Sequence, residues 1–277
     1  MLMWATLPLF SALSGEVPPF QLVAMSFFVA FLIGVANWWR AGIRVETRFR
    51  LSARVWAVGI VGLFGYHFFY FLAIRSAPVV EASLLNYLWP LLIVLGASFL
   101  PGERLRWFHV VGAGIAFAGA ALLVTRGQGI TLDVQYRFGH LAAVTAAFLW
   151  AAYSVISRTL GDVPTDTVGA FCGITAVLSG LAHLAFETTV WPVGNEWWAV
   201  LALGLGPVGL AFFTWDHGVK HGNIKTLGVL SYAIPLLSTL LLIWFGLAEP
   251  GWVIWVACGL IVGGAVFASG EQLRRGK

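Results

Sequence analysis

The chain has 277 residues and carries 16 Lys and Arg against 12 Asp and Glu, so only 10% of its residues are charged. Apolar residues make up 60% and the mean hydropathy is +0.88, whereas soluble domains carry about 25% charged residues. So little charge cannot cover a water-exposed surface; composition implies an integral membrane protein and excludes a cytosolic enzyme, a secreted disulfide scaffold and a nucleic-acid binder.

The first apolar segment, residues 1–15, would make about 22 Å of helix, and it lacks the basic flank of a signal peptide. It is read as helix 1. Uncharged runs follow at 17–39, 55–74, 82–102 and 107–125, and then at 138–157, 167–186, 197–215, 226–248 and 250–270. Each holds 19 to 23 residues, and a hydrocarbon core about 30 Å thick needs roughly 20. The sum is an all-α integral membrane protein with ten transmembrane helices. Cys172 and Cys258 fall inside apolar runs and read as buried thiols.

Lys and Arg set the expected orientation. With the N-terminus in the cytoplasm, Arg40, Arg44, Arg48, Arg50, Arg54, Arg104, Arg106, Arg158, Lys220, Lys225, Arg274, Arg275 and Lys277 lie inside. Arg75, Arg126 and Arg137 lie outside, a ratio of 13 to 3. Both termini are therefore expected in the cytoplasm of a bacterial inner membrane, multi-pass. Trp38, Trp39, Trp107, Trp191, Trp197, Trp198 and Trp252 sit at span ends, where aromatic belts form.

The chain repeats itself. Residues 3–18 (MWATLPLFSALSGEVP) align without gaps on 149–164 (LWAAYSVISRTLGDVP), an offset of 146 that pairs Trp4 with Trp150. At an offset of 145, Phe68 meets Phe213, Arg75 meets Lys220, Asn86 meets Ser231, Tyr87 meets Tyr232 and Pro90 meets Pro235. Gly114 and Gly119 likewise meet Gly259 and Gly264. The halves are 1–125 and 138–270, five helices each, with 126–137 as an outside linker. Five is odd, so the second half crosses the bilayer upside down, an arrangement that places a transport site at the interface of the halves near the midplane. Trp150 has about a dozen helical residues before it where Trp4 has three, so the native chain is expected to start roughly ten residues upstream.

PGERL (residues 101–105) closes helix 4, helix 5 is glycine-spaced, and AEPGW (248–252) is a degenerate second copy. With these motifs the chain resembles the EamA branch of the drug/metabolite transporter superfamily. The aromatic stretches WATLP, GYHFFYF, NYLWP and SYAIP are most similar to the aromatic amino acid exporters of that branch. The resemblance implies a ten-helix carrier of amino acids.

Candidate site residues follow from local chemistry. Pro90 and Pro235 interrupt helices 4 and 9, and each frees the carbonyl four residues earlier, on Asn86 and Ser231. Such carbonyls should face protein or a wet cavity, and the two prolines are candidate hinges; a kink healed by neighbouring serines is the alternative. Ser231, Pro235 and Ser238 share one helical face. Tyr66 and Tyr70 share a face of helix 3 beside His67. Trp4, Trp89 and Trp150 lie too deep for an interfacial belt, and with Tyr66, Tyr70, Tyr87 and Tyr232 they suit stacking and cation–π contact with an ammonium group. No Lys or Arg stands mid-helix to neutralise a phosphate. No Asp or Glu stands there to couple a proton; Glu81 and Asp216 lie near span ends. His67 is the candidate donor to a substrate carboxylate, and His183 reads as a packed histidine. Gly112, Ala116, Ala120, Gly259 and Gly263 allow close helix approach, read as contact between helices 5 and 10 within a monomer rather than as a dimer seam.

The expectation is a carrier that exports amino acids, aromatic ones preferentially, by facilitated diffusion and alternating access. It needs no cofactor and no metal; its partners are a small-molecule substrate and the lipid bilayer, not a nucleic acid. The alternatives are an exporter of other hydrophobic metabolites or drugs, or a membrane-embedded enzyme.

Overall fold

The computed structural model describes residues 1–128 and 132–269, and the regular structure within them is helical. Part of the linker, the residue that ends the second half, and Arg274, Arg275 and Lys277 lie outside the described residues. The first half contains α1 (Leu2–Ala5), α2 (Leu7–Leu13), α3 (Pro19–Arg40), α4 (Val45–Phe49), α5 (Ala53–Ile60), α6 (Tyr66–Ser76), α7 (Val79–Asn86), α8 (Trp89–Gly96) and α9 (Trp107–Val124). The second contains α10 (Arg137–Thr159), α11 (Val168–Phe186), α12 (Glu196–Leu205), α13 (Ala211–His221), α14 (Ile224–Leu230), α15 (Ala233–Trp244) and α16 (Trp252–Ser269). Among the described residues, eight helical stretches are long and apolar enough to cross a membrane, and Leu2–Leu13 and Trp252–Ala268 are shorter apolar helices.

Helix ends follow from their chemistry. Pro19 opens α3 where a missing N–H costs nothing. The next two free N–H groups, of Phe20 and Gln21, donate to the carboxylate of Glu187, each at 3.1 Å. An anion at a helix N-terminus also meets the favourable end of the helix dipole. At the other end Gly42, at φ 67°, lets the amides of Gly42 and Ile43 turn back onto the carbonyls of Trp39 and Trp38, a Schellman stop that needs a left-handed residue.

Four long stretches are irregular in the middle. α5 passes into α6 through a π-helical turn, Val61–Gly65, and α12 into α13 through another, Gly206–Leu210. These turns begin 145 residues apart. α7 breaks before α8 at Tyr87 and Leu88, and α14 breaks before α15 at Ser231 and Tyr232, just ahead of Pro90 and Pro235. The carbonyl of Ser231, expected to be free, accepts the amide of Ile234 at 3.0 Å. The break tightens into a short turn instead of leaving that group for a cavity.

Small residues hold the long helices together. A side chain on Gly112 would strike the Gly264 carbonyl, and one on Gly119 would meet Ile261 and the Ala257 carbonyl. As α9 ascends, its partner positions on α16 descend, so the two run antiparallel in contact within one chain. Gly34 and Gly169 do the same for α3 and α11. Gly259 and Gly263 have open space where a side chain would stand, so the close approach runs through Gly264 instead.

The expected aromatic belt needs one correction. Trp39, Trp107, Trp191, Trp197, Trp198 and Trp252 are exposed, but Trp38 is fully buried. Its indole donates to the Asp166 carbonyl at 3.1 Å, because it occupies the face of α3 packed on α11.

Candidate functional site

A cavity of about 150 Å³ lies between the two halves. The broken stretches supply most of its wall. Tyr66, His67 and Tyr70 come from α6, just past the first π turn, and Asn86, Tyr87 and Trp89 flank the break between α7 and α8. α1 gives Trp4, α10 gives Trp150 and α15 gives Ser238. Nine of the eleven residues expected at a site therefore border one space, and among the described residues no charged side chain lines it.

Three indoles of the wall, those of Trp4, Trp89 and Trp150, cluster with a fourth, Trp215, that lies behind it. The ring of Trp4 lies 6.4 Å from Trp89, 5.7 Å from Trp150 and 5.1 Å from Trp215. Trp89 and Trp150 are 6.3 Å apart, edge to face, and Trp150 stacks on Trp215 at 6.0 Å. Trp215 is held from behind: its indole N–H donates to Ser154 Oγ at 3.0 Å, and Ser154 donates on to the Trp150 carbonyl at 2.8 Å. The rings of Tyr66 and Tyr70, neighbours one turn apart on the same face, lie parallel, 5° apart in plane at 6.1 Å.

The polar groups are few. Asn86 Nδ2 donates to the Tyr66 hydroxyl at 3.2 Å, and Asn86 Oδ1 is buried with no partner among the described residues. His67 Nδ1 lies 2.7 Å from the Leu63 carbonyl. A carbonyl only accepts, so this nitrogen carries the proton, and the neutral ring keeps Nε2 as an acceptor. With Nδ1 protonated, Nε2 of the neutral ring is an acceptor of a kind that suits an ammonium group.

Ser231 and Tyr232 are not among the residues that line this space. Ser231 is fully buried and donates to the Leu227 carbonyl at 2.7 Å. The Tyr232 hydroxyl accepts the amide of Leu91 at 3.1 Å. Leu91 stands in the first turn of α8, where amides have no partner within the helix, so Tyr232 of one half caps a helix of the other. Pro90 and Pro235 are buried beside the breaks and do not line the cavity.

The sequence reading missed Leu7, Pro8, Pro207, Val208, Phe212 and Ile234 on the wall, and Trp215 behind it. A signal existed for two of these. The offset of 145 that pairs the two prolines also carries His67 onto Phe212 and Trp89 onto Ile234.

Beyond the tryptophans lie buried and half-buried ion pairs. Asp216 meets Lys220 at 2.7 Å and accepts from Thr165 at 2.8 Å. Glu103, of the PGERL motif, meets Arg158 at 3.3 Å and Lys225 at 2.8 Å. Arg158 also donates to the carbonyls of Val219 and Gly222 at the end of α13, at 2.8 and 2.6 Å. At the opposite end lie His140 and Glu81, 2.6 Å apart, and His183, which meets Glu187 at 3.0 Å and Thr189 at 2.9 Å.

Known proteins share this architecture. An aromatic amino acid exporter, YddG, of Ancylobacter novellus is 52% identical over 97% of this chain and 94% of its own length. The exporter of the same name from Escherichia coli K12 is 25% identical, over 68% of this chain and 66% of its own. A crystal structure with 51% sequence identity superposes with a TM-score of 0.93, covering 98% of this chain and 94% of that one. The EamA-like transporter family matches residues 1–125 and, a second time, 137–270. With multiple apolar helices and a family match over nearly its whole length, this multi-pass membrane protein belongs to the EamA-like transporter family.

Proposed function

We propose that the chain exports amino acids, aromatic ones preferentially, through the cavity between its halves. The observation that carries this reading is the wall itself: the three clustered indoles of Trp4, Trp89 and Trp150, backed by Trp215, stacked tyrosines and no charged side chain among the described residues. Such a wall stacks on a ring, at about 0.5–1.5 kcal/mol per aromatic pair, and its indoles attract an ammonium group through their faces. Asn86 Oδ1 and His67 Nε2 are acceptors for the same ammonium. A phosphate would find no cation to neutralise it. The name of the 52%-identical relative points the same way.

The halves, 1–125 and 138–270, are read as inverted repeats within a ten-helix bundle. The π turns, 145 residues apart, the breaks, 144 residues apart, and the antiparallel packing of α9 on its counterpart α16 support that reading. We read the state as open away from the ion-paired end. The charge of Lys220, Lys225 and Arg158 supports a cytoplasmic position for that end; both termini are then cytoplasmic and the cavity faces outward. Alternating access then needs the Glu103–Arg158–Lys225 cluster to part while the outer halves of the broken helices close, with Pro90 and Pro235 as hinges. No carboxylate lines the cavity, so transport runs down the amino acid gradient, and the carrier works as a monomer.

Efflux of labelled phenylalanine from preloaded proteoliposomes tests the function. Protein-dependent efflux, competed by tryptophan and not by a sugar phosphate, is the expected result. Efflux no faster than from protein-free vesicles would refute it.

A further inference from the structure

A second concavity lies on the outer side of the α3–α11 pair, away from the cavity between the halves. Phe28 and Phe31 of α3 form one wall and Gly173 and Val177 of α11 the other, and Phe49 of α4 closes one end. The groove measures about 490 Å³ and every residue lining it is apolar. Position 173 is glycine, which lets the Phe31 ring pack close on α11: a side chain there would meet that ring at 2.8 Å. Val177 and Phe28 are 60% and 53% exposed, so the groove is open to the bilayer.

Its lining runs from Ala24 to Phe31 on α3 and from Gly173 to Val177 on α11, about 10 Å of helix along α3, room for a stretch of acyl chain. The Phe49 end is basic: residues 40–54 hold five Arg against one Glu, Glu46. Arg48 is committed to Asp166 at 2.9 Å. Arg44 and Arg50 are exposed and have no ionic partner among the described residues.

We propose that this groove binds one anionic phospholipid of the membrane. Its acyl chain lies along α3 and α11, and its headgroup phosphate rests on Arg44 and Arg50. A guanidinium matches a phosphate with two parallel hydrogen bonds, and juxtamembrane basic residues are attracted to anionic leaflets. With the cytoplasmic orientation given above, the lipid comes from the inner leaflet; binding itself needs no transport.

Native mass spectrometry of the full chain in detergent tests this, with phosphatidylglycerol and phosphatidylethanolamine of identical acyl chains. The wild type retains one phosphatidylglycerol in preference to phosphatidylethanolamine by about tenfold. Joint Arg44→Ala and Arg50→Ala substitution brings phosphatidylglycerol down to the phosphatidylethanolamine level. Val177→Trp fills the groove from the lipid side and removes both. All three changed side chains are exposed, and an unchanged melting temperature in detergent confirms that each variant is folded. Equal retention of the two lipids by the wild type, or undiminished phosphatidylglycerol in either variant, overturns the proposal.

Discussion

Tyr66 illustrates how much one side chain carries. It stacks with Tyr70, lies 5.5 Å from the Trp150 ring and accepts from Asn86. Tyr66→Ala removes a stacking surface that an aromatic substrate uses and threonine does not. Half-saturation for phenylalanine should rise about fivefold, the equivalent of 1 kcal/mol, with little change for threonine. An equal loss for both points to a folding defect. Tyr232 predicts the opposite pattern. Tyr232→Phe leaves the Leu91 amide buried without an acceptor, at a cost of about 1–3 kcal/mol. The melting temperature in detergent should fall while the order of substrate preference stays the same. The sequence marks Tyr87 and Tyr232 as equals, since the repeat pairs them. Their roles diverge because Tyr87 borders the cavity, whereas Tyr232 packs on Phe117 of α9 and reaches across to α8. A repeat fixes where a residue sits along the chain; the neighbours that it meets are set by packing between halves, which periodicity does not record.

Helices show the same division. Spans were legible from charge-free runs because a membrane helix must satisfy every backbone group within itself, and the proline breaks were legible because proline has no amide to donate. The π turns at Val61–Gly65 and Gly206–Leu210 were not, since no residue type demands that geometry. Trp38 was misplaced because a tryptophan at a span end reads as a belt whichever face it occupies. The close pairing of α9 and α16 gives a prediction at this scale. Gly112→Leu drives a side chain into the Gly264 carbonyl and should destabilise the bundle by about 1–3 kcal/mol, read as a lower melting temperature; Gly259→Leu, facing open space, should leave it unchanged. The ion-paired end gives another. Glu103→Gln removes the negative charge between Arg158 and Lys225, so a cysteine placed at Ser154, behind the tryptophans, should react faster with a water-soluble maleimide from the cytoplasmic side. Unchanged labelling would mean that these ion pairs do not hold that end shut.

The whole molecule follows from a few constraints acting together. Sparse charge commits the chain to the bilayer, the transporter family matches it twice, and paired breaks put irregular backbone at membrane depth, where it must line a cavity or be buried in protein. Aromatic residues gather there because nothing in that cavity supports a charge. The central claim is a carrier that moves amino acids down their own gradient. Counterflow of labelled tryptophan, phenylalanine and threonine in proteoliposomes at equal pH, with and without a proton ionophore, tests it most directly. Unlabelled amino acid inside should drive transient accumulation of label, tryptophan and phenylalanine ahead of threonine, and the ionophore should change nothing. Absence of counterflow, or accumulation that requires an imposed pH gradient and collapses with the ionophore, would contradict the account.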